Sequence, residues 1–100
     1  MKGFSLLLLT IALAACAAPY KAYSNWTGAG YYSEVLSENE AMVGYAGNAY
    51  TSTSQAMAFF HRHARELCSQ DYDAGDYDVL ELAVEQGTFG PHVFGRIRCQ

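Results

Sequence analysis

The sequence predicts a small α+β domain: a single helix laid on a mixed sheet in two layers, behind a cleavable leader and a tether. Three observations carry this. Apolar residues alternate over 41–46 and again over two segments between 79 and 99, which is the period of a half-buried strand. Between Ser54 and Gln70 the spacing changes to the helical period. Two cysteines, Cys68 and Cys99, fall on the apolar faces of the helix and of the last strand, so two independent periods place both sulfurs in one core.

The leader comes first. Lys2 precedes fifteen residues without a charge, Phe4 to Ala18, and the run ends in small residues. A helix crossing a bilayer needs about 20 apolar residues, so this stretch suits the apolar region of a secretory signal, residues 1–15, better than a permanent anchor. Its last four residues, Leu13-Ala14-Ala15-Cys16, resemble the lipobox of bacterial lipoproteins, in which the cysteine is acylated and becomes the mature N-terminus. The resemblance implies lipid on Cys16; the alternative is ordinary secretion with cleavage near Ala15 or Ala17. Ala17, where an Asp is absent, points to the outer membrane in a cell that has one.

Residues 16–32 form the expected tether, punctuated by Pro19, Gly28 and Gly30 and without an apolar period. It carries Tyr20, Tyr23, Trp26, Tyr31 and Tyr32, rings that suit a membrane interface, a contact with the domain or stacking on a sugar. Within it Asn25-Trp26-Thr27 fits the glycosylation pattern, a code of little bearing on a lipobox protein.

The domain is expected over 33–100. Ala41, Val43 and Tyr45 share one face of the first strand, with Met42, Gly44 and Ala46 on the other. A hydroxyl among Thr51, Ser52, Thr53 and Ser54 then caps the helix, whose inner face is Ala56, Met57, Phe60, Ala64, Leu67 and Cys68. Arg62, Arg65 and Glu66 lie opposite, with Phe59 as a lone aromatic among them, either a contact for the tether or an exposed patch. After the acidic turn Asp71–Asp76, Leu80, Leu82 and Val84 share a face of the second strand. In the third, Val93, Gly95, Ile97 and Cys99 do so, backed by His92, Phe94, Arg96 and Arg98. The order strand–helix–strand–strand calls for a parallel crossover followed by an antiparallel hairpin.

Composition narrows the function. From Cys16 onward five basic residues face ten acidic ones, a formal charge of −5, so no basic stripe for nucleic acid exists and attachment to a membrane rests on the acyl group. With Cys16 lipidated, the remaining Cys68 and Cys99 can form a disulfide in an oxidising compartment; the alternative is two reduced core cysteines. Neither has a partner at zinc-site spacing.

No side-chain set supports a cofactor, a metal or catalysis. His61 and His63 are two apart on a helix and point about 200° from each other, and His92 lies on a different strand. The acidic turn with Asp71, Asp73, Asp76 and Asp78 departs from the EF-hand pattern at Gly75 and at Leu82. There is no Gly-x-Ser-x-Gly elbow, phosphate loop or His-Glu-x-x-His. The protein is therefore expected not to be an enzyme.

The stretch Gly30-Tyr31-Tyr32-Ser33-Glu34, Leu36-Ser37-Glu38-Asn39-Glu40, Val43-Gly44-Tyr45-Ala46-Gly47-Asn48, Tyr50-Thr51 and Arg62-His63-Ala64-Arg65-Glu66-Leu67 resembles an uncharacterised family of small proteobacterial lipoproteins. Together with the lipobox this covers about half the chain. The segment after the helix departs from the pattern, with a longer and more acidic turn. The resemblance implies a lipoprotein fold and leaves activity open. It brings no catalytic or binding residues. The lipid anchor, the small disulfide-closed domain and the lack of catalytic sets favour an envelope lipoprotein of the outer-membrane type, facing the periplasm, with a non-catalytic structural or interaction role and an envelope protein as partner. A module binding a small ligand or a glycan such as peptidoglycan is the second expectation, resting on the eight tyrosines, Trp26, and Phe94 beside Arg96.

Overall fold

A computed structural model describes residues 17–100; the leader and Cys16 lie outside the described residues. Four strands and a helix follow in the order β1 (Gly30–Val35), β2 (Glu40–Ala46), α1 (Thr53–Asp71), β3 (Tyr77–Gln86) and β4 (Pro91–Cys99). The strands form one sheet in the order β1-β2-β4-β3, and α1 packs across β2 and β4. This is the expected two-layer α+β sandwich.

Within that class the sheet is antiparallel throughout rather than mixed. β2 and β3 do run in the same direction, as a crossover through a helix requires. They are not neighbours, because β4 inserts between them and pairs antiparallel with both. An inserted strand satisfies the ladders of both flanking strands and puts β4, buried on its helix-facing side, at the centre.

The core lies between α1 and the face of the sheet carrying Ala41, Val43 and Tyr45 of β2 and Val93, Ile97 and Cys99 of β4, all buried. Two-residue alternation sends the intervening side chains to the opposite face, which no second layer among the described residues covers. Helix α1 begins with a capping box: the Ser52 hydroxyl accepts from the Gln55 amide at 3.1 Å, and the Gln55 side chain accepts from the Ser52 amide at 2.9 Å. Its buried stripe is Ala56, Phe60, His63, Ala64, Leu67 and Cys68. The sulfurs of Cys68 and Cys99 are at disulfide distance, with Cα atoms 5.3 Å apart.

Three local expectations change. His63 joins the buried stripe with its imidazole on Tyr31, ring centroids 4.3 Å apart, while Met57 packs against the core partly buried. In β3 the alternation breaks at Leu80, the extra residue of a bulge between Val79 and Glu81; Val79 then shares the core side with Leu82 and Val84. And β1 itself is a strand where a tether was expected, so the boundary at residue 33 falls inside it.

Residues 17–29 also pack on the domain. The Ala18 amide donates to the Thr51 hydroxyl at 3.2 Å, and its carbonyl accepts from the Tyr45 hydroxyl at 3.2 Å. Tyr20 lies between Tyr31 and Phe59, at 4.7 and 5.3 Å, under the Arg62 guanidinium. Its hydroxyl donates to Glu66 at 2.6 Å. Phe59 on the polar face of the helix is thus the contact for this segment.

Candidate functional site: an aromatic cleft

The uncovered face of the sheet divides along the strands. At the end where β2 finishes and β4 begins, Tyr32, Ala46 and His92 lie side by side. At the other, Arg96 reaches Glu40 and Glu81, and Arg98 approaches Glu40 at 3.7 Å. These partly exposed ion pairs bridge β2, β4 and β3 and contribute little stability each.

Gly44 creates the first part of the site. It sits opposite Tyr32, and a Cβ there would fall 2.1 Å from the Tyr32 ring. The missing side chain lets the ring lie across β2 and hydrogen-bond to Nε2 of His92 on β4 at 2.5 Å. His92 in turn stacks beside Phe94, centroids 4.8 Å apart, and Tyr23 meets Tyr32 edge-on at 6.3 Å.

Above this row is an open cleft of about 450 Å³. Tyr23, Tyr32, Phe89 and His92 line it, together with Gly47 and Gly90. Burial raises the Tyr32 hydroxyl above the usual phenol value, helped by the nearby Glu85 carboxylate. Burial lowers the His92 imidazole against the opposing pull of Glu85. Both groups are therefore neutral near neutral pH, one hydrogen-bonded polar pair in an apolar trough. Such a trough accepts a flat apolar surface and offers one polar anchor.

The other singled-out residues do not enter the cleft. His61 shares a hydrogen bond with the Tyr77 hydroxyl at 2.7 Å, and His63 is buried in the core against Tyr31. The three histidines therefore face three different tyrosines. Among the described residues no three His, Cys, Asp or Glu side chains gather around a common point. The Asp76 carboxylate accepts from the Tyr77 amide and that of Asp78 from the Gln100 side chain, so the acidic turn is internally engaged. Cys68 and Cys99 meet in the core, and Cys16 lies outside the described residues. Phe94 and Arg96 do share the outer face, but Arg96 is held by its two carboxylates.

Sequence reasoning missed the cleft because its walls come from four separated segments. The available signal was the glycine at 44 inside an otherwise regular strand, since an interior strand glycine marks a close approach. No protein-family model, curated protein or solved structure matches the chain.

Proposed function

We propose that the protein is a bacterial envelope lipoprotein, held by lipid on Cys16 at the outer membrane facing the periplasm, with a non-catalytic structural or interaction role. One observation carries this reading: Leu13-Ala14-Ala15-Cys16 closes a charge-free apolar leader. Support comes from the cysteine count. Cys68 and Cys99 partner each other, so Cys16 is the odd cysteine, and acylation gives it a use. Two or more acyl chains anchor a protein stably. Several proton-bearing and charged groups are engaged within the fold, His61 with Tyr77, Glu66 with Tyr20 and Arg96 with two carboxylates, which favours a module without chemistry of its own.

The test is an intact mass of the protein extracted from its own membranes, with and without reduction. The expected mass is Cys16–Gln100 plus acyl groups, rising by two hydrogens on reduction. A soluble, unacylated species would overturn the anchor. Cross-linking in the envelope should then capture one reproducible partner; recovery of bulk membrane proteins alone would remove the interaction role.

A second reading, a binding module for a small ligand or glycan, is favoured by the cleft between Tyr23, Tyr32, Phe89 and His92. Titration with peptidoglycan fragments should shift the fluorescence of Trp26, two residues from the cleft-lining Gly28. An unchanged spectrum at millimolar ligand would sink it.

A further inference from the structure

The two ends of the sheet differ in chemistry. At one end lie the segment 17–29, the β2–α1 connection 47–52 and the β3–β4 hairpin loop 87–90. These three stretches contain no carboxylate and one cation, Lys21. They expose four large rings: Trp26 at 97 %, Phe89 at 68 %, Tyr50 at 62 % and Tyr23 at 45 %. At the other end, the β1–β2 loop and the α1–β3 turn carry Glu38, Asp73 and Asp76, with Asp71 closing the helix. Exposed apolar side chains occur there too, Val35 and Leu36, but between Glu34 and Glu38.

The ring-bearing loops adjoin one another. Ala18, Ser24, Thr27 and Asn48 line a common cavity of about 330 Å³, which brings the turn of Trp26 and the turn of Tyr50 beside the start of the domain. A Cβ on Gly28 would touch Phe89 at 3.7 Å, so the hairpin loop borders the same turn.

The chain leaves almost no slack between this end and the anchor. Ala18 is buried and bonded through its amide to Thr51 and through its carbonyl to Tyr45. Only Ala17 separates it from Cys16, and the two-residue step from Cys16 to Ala18 reaches at most about 7 Å. The polar zone outside the hydrocarbon is itself only about 5–7 Å deep on each side.

We infer that the end of the domain bearing Trp26, Tyr50 and Phe89 docks on the lipid surface, with the acidic end pointing away from the bilayer. The inference rests on the acylation of Cys16 proposed above. Tryptophan and tyrosine favour the headgroup level, where one part of the ring meets chain and the polar tip meets water. Anionic headgroups repel carboxylates, and none stands in the loops concerned, Glu85 at the end of β3 being the one that borders them. The occupant is therefore a bilayer surface, and the short connection makes the contact obligatory.

Trp26 is the chain's single tryptophan, so its emission reports the contact directly. The acylated protein from its own membranes is reconstituted into vesicles of phosphatidylethanolamine and phosphatidylglycerol, with and without brominated acyl chains. Trp26 emission should move to shorter wavelength and be quenched about twofold or more by the brominated lipid, as for rings at the interface. Two relocated probes set the orientation, each in a Trp26→Phe background. Phe89→Trp should be quenched likewise and Leu36→Trp should not. If acylated protein shows unquenched Trp26, or quenching as strong at position 36, the docked orientation is overturned while the anchor stands. If the mass of the same preparation lacks acyl groups, the anchor itself has failed.

Discussion

Tyr45 donates its hydroxyl to the carbonyl of Ala18 at 3.2 Å, and the same proton faces the Pro19 carbonyl at 3.1 Å. Tyr45 stands at the end of the central strand β2 with its ring fully buried, so this bond ties the first described residues to the middle of the core. Residues 17–29 belong to the domain through it, and a segment without an apolar period becomes an ordered strap.

Tyr45→Phe keeps the packing and removes the donor. Two carbonyls near the core then lack their partner, at a cost of about 1–2 kcal/mol. Urea denaturation should show that loss, and limited proteolysis should cut between 19 and 29 well before the rest of the chain. Equal stability and an uncut strap would mean that the aromatic contacts of Tyr20 hold it alone.

The central parts of this fold were legible in the sequence; the strap, β1 and the cleft were not. Val93, Ile97 and Cys99 announce a half-buried strand because only one face of β4 meets the helix, and Ala41, Val43 and Tyr45 do the same for β2. Strand β1 hides because Tyr31 goes to the core side and Tyr32 to the outer side, so both faces read as aromatic and alternation vanishes. Its remaining residues, Ser33, Glu34 and Val35, are exposed at a sheet edge. His63 misled for a related reason. An imidazole has no place in an apolar stripe by pattern, and its burial depends on a ring, Tyr31, from an element that pattern did not reveal.

Removing the Cys68–Cys99 link should cost about 3–4 kcal/mol, the chain-entropy value for a loop closed across a separation of 31 residues. The bond joins the inner face of α1 to the last residue of β4, so it also fixes the helix on the sheet. Cys68→Ala/Cys99→Ala should therefore shift the denaturation midpoint down sharply under oxidising conditions and leave the reduced protein little changed. A midpoint insensitive to both would show the pair to be reduced in the protein as isolated.

Gly95→Ala should damage the sheet more than its size suggests. A Cβ at this position would sit 2.2 Å from the Glu81 carbonyl oxygen, and that neighbour is backbone, unable to rotate aside. The β3–β4 ladder must open at the bulge beside Leu80, with a cost of about 1–3 kcal/mol. Hydrogen exchange at Glu81 and Leu82 would speed up selectively; uniform exchange and wild-type stability would show that the bulge absorbs the methyl group.

Stability should fall as pH drops below neutrality. Burial lowers the His63 pKa in the folded protein, against the weaker pull of the Glu66 and Asp71 carboxylates, and its Nε2 is buried without a hydrogen-bond partner. The unfolded chain takes up the proton near its ordinary value of about 6.5, while the folded chain resists it. Unfolding therefore binds a proton in this window, so stability is intact above about 6.5 and is lost as pH falls towards the lower folded value. His63→Phe keeps a ring against Tyr31 and removes the titration, and it should flatten the dependence of the urea midpoint on pH over this range. A slope as steep as in the unaltered protein would move the effect to His92, whose pKa burial also lowers.

The Tyr32–His92 pair can be tested where it sits. We assign the phenol as donor and the Nε2 lone pair as acceptor, an arrangement that favours the unprotonated imidazole. Tyr32→Phe keeps the ring over Gly44 and deletes only that donor. The His92 ring signals, followed by NMR through a pH titration, should then move to a higher pKa, nearer the ordinary histidine value. Gly44→Ala should give the same shift by a different route, because its methyl group displaces the Tyr32 ring from the space it occupies. A fall in the Tyr32→Phe protein would reverse the assignment, making His92 the donor, and the Tyr32 hydroxyl proton would then be free for whatever enters the cleft.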